Sequence, residues 1–134
     1  MIMDLNKFSI ESYIIAQTRQ ANGGKIDTDP LQMLKHCATE VIEATEAYTA
    51  YNAMQNLIVD PDAVDLEEKW AGMEEPDACE ESLKESTADF EKELADIISC
   101  CAIIAGRENI DLEKALTECY ERNKARAERR GDKL

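Results

Sequence analysis

Glu40-Val-Ile-Glu43 and Glu93-Leu-Ala-Asp96 each set two acids three residues apart within an apolar-patterned stretch of chain. Side chains at i and i+3 are neighbours on a helix surface. Two such helices packed face to face would gather four carboxylates into an oxygen-rich cage for a hard divalent cation. Mg²⁺ prefers a near-octahedral oxygen shell, usually takes few carboxylates, and leaves its other positions to water and phosphate oxygens. Mn²⁺ accepts the same ligand types. An ion held in this way withdraws charge from a phosphate and acidifies a bound water, while a neighbouring carboxylate orients or deprotonates that water. His36, the single histidine, precedes Glu40 by one helical turn. It is placed either to touch a substrate or order a carboxylate, or to serve a partly buried structural role.

Spacing alone does not single these acids out. The chain carries 29 Asp and Glu in 134 residues, and Glu43/Glu46, Glu74/Asp77 and Glu118/Glu121 repeat the same interval. What distinguishes the two couplets is where their residues point, and that depends on the helices that carry them.

The pattern predicts a first helix over about 5–21, with Phe8, Tyr13, Ile14 and Ile15 making apolar contacts and Asn22-Gly23-Gly24 ending it. Asp29-Pro30 combines an N-cap side chain with a residue whose fixed φ suits a first turn, which opens a second helix running at least to Tyr51. Leu31, Leu34, Ala38, Val41, Thr45 and Tyr48 recur along it at three- and four-residue steps as an expected buried stripe. At ~100° per residue, Glu40 and Glu43 fall on one border of that stripe. A third helix is expected from Ser86 or Thr87 to about Ala105, with Asp89 placed for a capping-box-like contact. Its stripe is Phe90, Leu94, Ile97, Cys101 and Ile104, with Glu93 and Asp96 at the edge. After Gly106, Ile110-Asp111 reads as staple and cap of a fourth helix carried by Leu112, Ala115, Leu116, Cys119 and Tyr120 and ending near Arg130-Gly131. No alternating run bounded by hairpin turns is present. The fold class is all-α, a four-helix bundle in one domain over 1–134.

Two segments depart from the average charge. Residues 53–85 hold eleven acids against Lys69 and Lys84, with Pro61, Pro76 and the single Trp70. They read as an acidic, solvated insertion between the second and third helices, with at most a short helix around 64–72. The terminal stretch 118–134 is basic on balance through Arg122, Lys124, Arg126, Arg129, Arg130 and Lys133. Cations there complement a helix C-terminus, and they are also suited to phosphate.

Formal net charge is −14, which opposes binding to nucleic acid or anionic membrane and favours cations as small partners. The five cysteines form an odd set with no C-x-x-C, so neither a disulfide framework nor a zinc knuckle is indicated, and a reducing cytoplasm fits. There is no secretory-type leader pattern and no run of membrane-spanning length.

Leu34-Lys35-His36-Cys37-Ala38-Thr39-Glu40-Val41-Ile42-Glu43-Ala44, then Glu93-Leu-Ala-Asp96, then Arg122-Asn123-Lys124-Ala125-Arg126, resembles the MazG-type all-α nucleoside triphosphate pyrophosphohydrolases. Their hallmark is E-E-x-x-E on one helix and E-x-x-D on the next. Thr39 stands where the first glutamate of that pattern usually is, Cys119 where a lysine often is, and the stretch between Glu43 and Glu93 is longer than usual. The resemblance implies a Mg²⁺-dependent cut between the α- and β-phosphates of a (deoxy)nucleoside triphosphate, giving monophosphate and pyrophosphate. It implies Glu40, Glu43, Glu93 and Asp96 as catalytic metal ligands, with Asn123, Lys124 and Arg126 at the phosphate end. It further implies pairing of subunits, as a homodimer or homotetramer.

Two other readings meet the same residues. A ferritin-like di-iron bundle needs Glu-x-x-His, and Met33 occupies the position three before His36, so that reading fails. A non-enzymatic acidic interaction protein, presenting its negative surface to a basic partner, accounts for the charge without chemistry. A catalytically degenerate relative of the family accounts for the couplets without turnover.

Overall fold

The computed structural model describes residues 4–59 and 76–132, with the side chains of 57–59 and 76–80 outside the description. The described chain is all-α, with four helices and no strand: α1 (Leu5–Ala21), α2 (Pro30–Val59), α3 (Pro76–Arg107) and α4 (Leu112–Arg129). It divides into two compact units, Met1–Lys35 with Ser99–Leu134, and His36–Ile98. The expected short helix around 64–72 and Trp70 lie outside the described residues. The acidic stretch itself is helical at both ends, because α2 runs on to Val59 and α3 begins at Pro76.

In the first unit, α1 starts at the Asp4 carboxylate, which accepts hydrogen bonds from the Asn6 and Lys7 amides at 3.1 Å each. It stops where Gly23 takes φ +83° and the Gly24 amide donates back to Arg19 O at 2.8 Å, a left-handed exit that glycine makes without strain. Asp111 caps α4 by accepting from the Lys114 amide at 3.1 Å. The two starts also cap one another. Asn6 Oδ1 accepts from the Leu112 and Glu113 amides at 2.9 and 3.3 Å, and Asn6 Nδ2 donates to Asp111 Oδ1 at 3.0 Å. Glu113 Oε1 in turn accepts from the Leu5 amide at 3.2 Å. Orphan amides of both first turns are thereby satisfied. The Asn6 hydrogen bond, followed by that from the Lys114 amide, holds the Asp111 carboxyl below its ordinary range.

The core of this unit is made of small and medium side chains: Ala16, Met33, Cys100, Ala102, Ile103 and Ala105. Gly106 explains the small residues on α1, since a Cβ built there would lie 2.1 Å from Ser9 O. That backbone approach turns Ser9 and Ala16 inward, with Phe8 and Tyr13 half-buried beside them. The Ser9 hydroxyl is accommodated by donating to Leu5 O at 2.9 Å. Ile14 and Ile15, expected as apolar contacts, are therefore exposed. The loop before α2 is pinned through buried Thr28, whose amide and hydroxyl both donate to Gln20 Oε1 and whose hydroxyl accepts from Arg107 Nη1.

In the second unit, α2 turns a different stripe inward from the expected one. Glu40 and Ala44 are buried, with Cys37, Ala47, Tyr51 and Met54 half-buried. Met33, on the same face, is buried in the first unit. Leu31, Leu34, Ala38, Val41, Thr45 and Tyr48, the predicted stripe, are all exposed. Both sets step by threes and fours. Of the stripe expected on α3, Phe90 and Ile97 are half-buried and Leu94 is exposed; in the part of α3 that belongs to the first unit, Ile104 is half-buried and Cys101 exposed. Tyr48, Tyr51 and Phe90 form a ring cluster with centroids 5.4 to 6.3 Å apart that joins α2 to α3 within the unit.

Helix α3 begins ten residues before its expected start. Thr87 Oγ1 donates to Leu83 O at 2.7 Å, the back-bond of a helix-interior threonine rather than a cap. No described cysteine is in a disulfide. Among the described residues, no helix is long and apolar enough to cross a membrane.

Candidate metal centre

The altered face of α2 places Glu40 on the packed face itself rather than at its border. Only 9 % of the residue is exposed. From α3, Glu93 and Asp96 reach the same point, and one oxygen from each of Glu40, Glu93 and Asp96 lies within 4.8 Å of the others. All three residues belong to the unit His36–Ile98. Their helical spacing is what makes this possible, because i and i+3 on α3 present Glu93 and Asp96 to one neighbour. Glu43 lies one turn along α2 and is exposed, and its charge acts on Glu40.

Glu40 is a costly residue to bury unless something compensates its charge. Burial first, then the hydrogen-bonding Glu93 carboxyl, then the charge of Glu43, with Asp96 adding to it, push the Glu40 carboxyl above its ordinary value of 4.5. Glu40 Oε1 is 3.1 Å from His36 Nε2. Glu40 Oε2 and Glu93 Oε2 are buried and meet no hydrogen-bond donor. Buried carboxylate oxygens rarely go without partners, and two of them within a cluster of three acids suit a cation. The set is all oxygen, with no thiolate or imidazole among the three, which fits Mg²⁺ or Mn²⁺ rather than a softer metal.

The sequence-predicted residues separate into two groups. Glu40, Glu43, Glu93, Asp96 and His36 belong to His36–Ile98. His36 is more exposed than a partly buried structural residue, with 54 % of its side chain accessible. Asn123, Lys124 and Arg126 lie on α4 in the other unit and are exposed, with Asn123 Nδ2 3.8 Å from Cys119 Sγ. They are not members of the carboxylate cluster.

One charged neighbour of the site escapes the motif reading. Lys92 Nζ lies 4.0 Å from Glu93 Oε1 and 4.0 Å from Asp96 Oδ2. The Lys92/Asp96 interval of four residues is the signal that points to it. Comparison of the chain with protein-family models, with curated proteins and with solved structures finds no match.

Proposed function

We propose that this protein is a Mg²⁺-dependent nucleoside triphosphate pyrophosphohydrolase of the MazG-like type, built on that family's four-helix bundle. It converts a (deoxy)nucleoside triphosphate and water to the monophosphate and pyrophosphate. The observation that carries the reading is the convergence of Glu40, Glu93 and Asp96, two of which carry a buried carboxylate oxygen without a donor. Acids on a solvated face do not produce that arrangement, and a divalent cation compensates it.

Glu40, Glu93 and Asp96 would hold the ion, which supplies charge withdrawal from the phosphates and an acidified water. Glu43 completes the acidic set and, being exposed, is the carboxylate placed to accept a proton from the attacking water. Water attacks the α-phosphorus, the bond to the bridging oxygen of the β-phosphate breaks, and pyrophosphate leaves. His36 orients Glu40 through its contact with Oε1. The resemblance to the family, rather than any placement beside the acids, gives Asn123, Lys124 and Arg126 to the phosphate chain, and neutralising Lys124 or Arg126 is expected to weaken substrate binding more than binding of the free ion.

A homodimer or homotetramer belongs to the same reading. Leu31, Leu34, Val41, Ile42 and Tyr48 on α2, with Leu94 and Ile98 on α3, are each 45 to 61 % exposed, an apolar excess that a second copy would cover. The same exposed faces favour the alternative of a non-enzymatic interaction protein. Replacing Glu93 or Asp96 by Ala decides between the two. The enzyme reading expects Mg²⁺-dependent turnover to fall at least about a hundredfold with the helical content retained. Turnover that is unaffected by both substitutions removes the cluster from the chemistry.

A further inference from the structure

Lys92 precedes Glu93 directly and Asp96 by one turn of α3, and its ammonium stands 4.0 Å from an oxygen of each. Its side chain is 71 % exposed, so the stem can swing without disturbing packed neighbours. Of the bases in His36–Ile98, Lys84 and Lys92 fall among residues whose side chains are described. Lys84 lies about two turns further from Glu93 along α3. Lys92 therefore puts a positive charge beside two of the three acids that converge, and a lysine ammonium is a compact point charge on a flexible four-carbon stem.

A divalent cation brought to Glu93 and Asp96 repels that ammonium across a few ångströms. The repulsion releases Lys92 at the place where a phosphate on the ion carries its negative charge. Lysine binds phosphate as a point charge without the fixed geometry of an arginine fork, so the same stem can serve both positions.

We propose that Lys92 is an exchanging counter-ion: it neutralises Glu93 and Asp96 before a divalent cation binds, and pairs with a substrate phosphate once the cation holds those oxygens. The proposal rests on the reading of the cluster as a divalent-metal site. It gives Lys92 opposite effects on two ligands. The ammonium competes with the metal ion and assists the polyphosphate. A lysine that merely decorates the surface affects neither, and one that only braces α3 through a helical ion pair weakens both when removed.

The test uses the full chain as wild type, K92Q and K92R, with helical content checked by circular dichroism. Mn²⁺ affinity is read from the electron paramagnetic resonance signal of the free ion at fixed ionic strength. Affinity for the Mn²⁺ complex of tripolyphosphate is then read by calorimetry at saturating Mn²⁺. K92Q is expected to bind Mn²⁺ about three- to tenfold more tightly, since a like charge a few ångströms away is removed. It is expected to bind the tripolyphosphate complex about tenfold more weakly, with K92R near wild type in both. Unchanged or weaker Mn²⁺ binding by K92Q, or unchanged tripolyphosphate affinity, overturns the role of Lys92 while leaving the metal site standing. A wild-type protein that binds no Mn²⁺ overturns the metal reading itself, and the exchange with it.

Discussion

Glu40 concentrates the energetic cost of the site in one side chain. Its carboxyl is held above its ordinary value of 4.5 by burial and by the acids around it. A carboxyl with a raised folded pKa contributes stability that is fully present below the unfolded value and is lost as pH rises through the folded one, because the folded state binds more protons. The metal-free protein should therefore lose stability through this residue as pH rises above 4.5. Glu40→Gln, which keeps the shape and removes the charge, should raise the melting temperature of the metal-free protein at pH 7 by several degrees and leave it nearly unchanged near pH 4. A thermal melt series across that range checks the sign. With Mg²⁺ present the order should invert, since the wild-type carboxylate binds the ion and gains stability by mass action while the variant does not. A metal-free variant less stable than wild type at pH 7 would mean that Glu40 is compensated by a partner other than a cation.

At the level of helices, Gly106 is the position where the packing of α1 on α3 is most exacting. A methyl group there meets Ser9 O at 2.1 Å, Ser9 C at 2.7 Å and Tyr13 Cβ at 2.9 Å. Two of those are backbone atoms that cannot rotate away. Gly106→Ala should destabilise the fold by about 1–3 kcal/mol, against the roughly 1 kcal/mol that alanine gains over glycine within a helix. Chemical denaturation, read as a lower midpoint at unchanged slope, measures the balance. Helix starts marked by a side-chain cap were legible: the sequence places α1 at Leu5, α2 at Pro30 and α4 after Asp111, where they are found. The start of α3 was not, because Ser86-Thr87 looks like a cap until Thr87 is seen bonding to Leu83 O inside the helix. The buried face of α2 was not legible either. Two apolar seams with the same period run along it, and periodicity cannot choose between them. Which of the two is packed is decided by tertiary contact. Of the four couplet acids, Glu40, Glu93 and Asp96 come together, whereas Glu43 is exposed and outside the cluster, because the face of α2 that packs is centred nearer Glu40.

At the level of the whole chain, the proposed homo-oligomer rests on the balance of covered and uncovered apolar surface among the described residues. Its buried hydrophobic residues are Ala16, Met33, Ala44, Cys100, Ala102, Ile103 and Ala105 among those described, mostly small, while thirteen large hydrophobic residues stay exposed. A half-exposed leucine or isoleucine leaves about 1 kcal/mol of burial unused, so a handful gathered on one helix supplies an incentive to associate. A stable interface covers about 800 Å² per partner. Sedimentation at low micromolar concentration should show a dimer or larger assembly, and Leu31→Asp with Leu34→Asp should shift it towards monomer with helicity retained. A wild-type chain that sediments as a monomer would leave those faces to a different partner. Net charge of −14 makes nucleic acid an unsuitable one.

The proposed reaction is a metal-dependent cut between the α- and β-phosphates at the Glu40, Glu93 and Asp96 cluster. Its most direct test is product analysis by phosphorus NMR after incubating the protein with a panel of ribo- and deoxyribonucleoside triphosphates, with Mg²⁺ and with chelator. Monophosphate and pyrophosphate appearing in equal amounts, only with Mg²⁺, is the predicted result. Diphosphate with orthophosphate, products that persist in chelator, or no turnover across the panel by folded protein would contradict it.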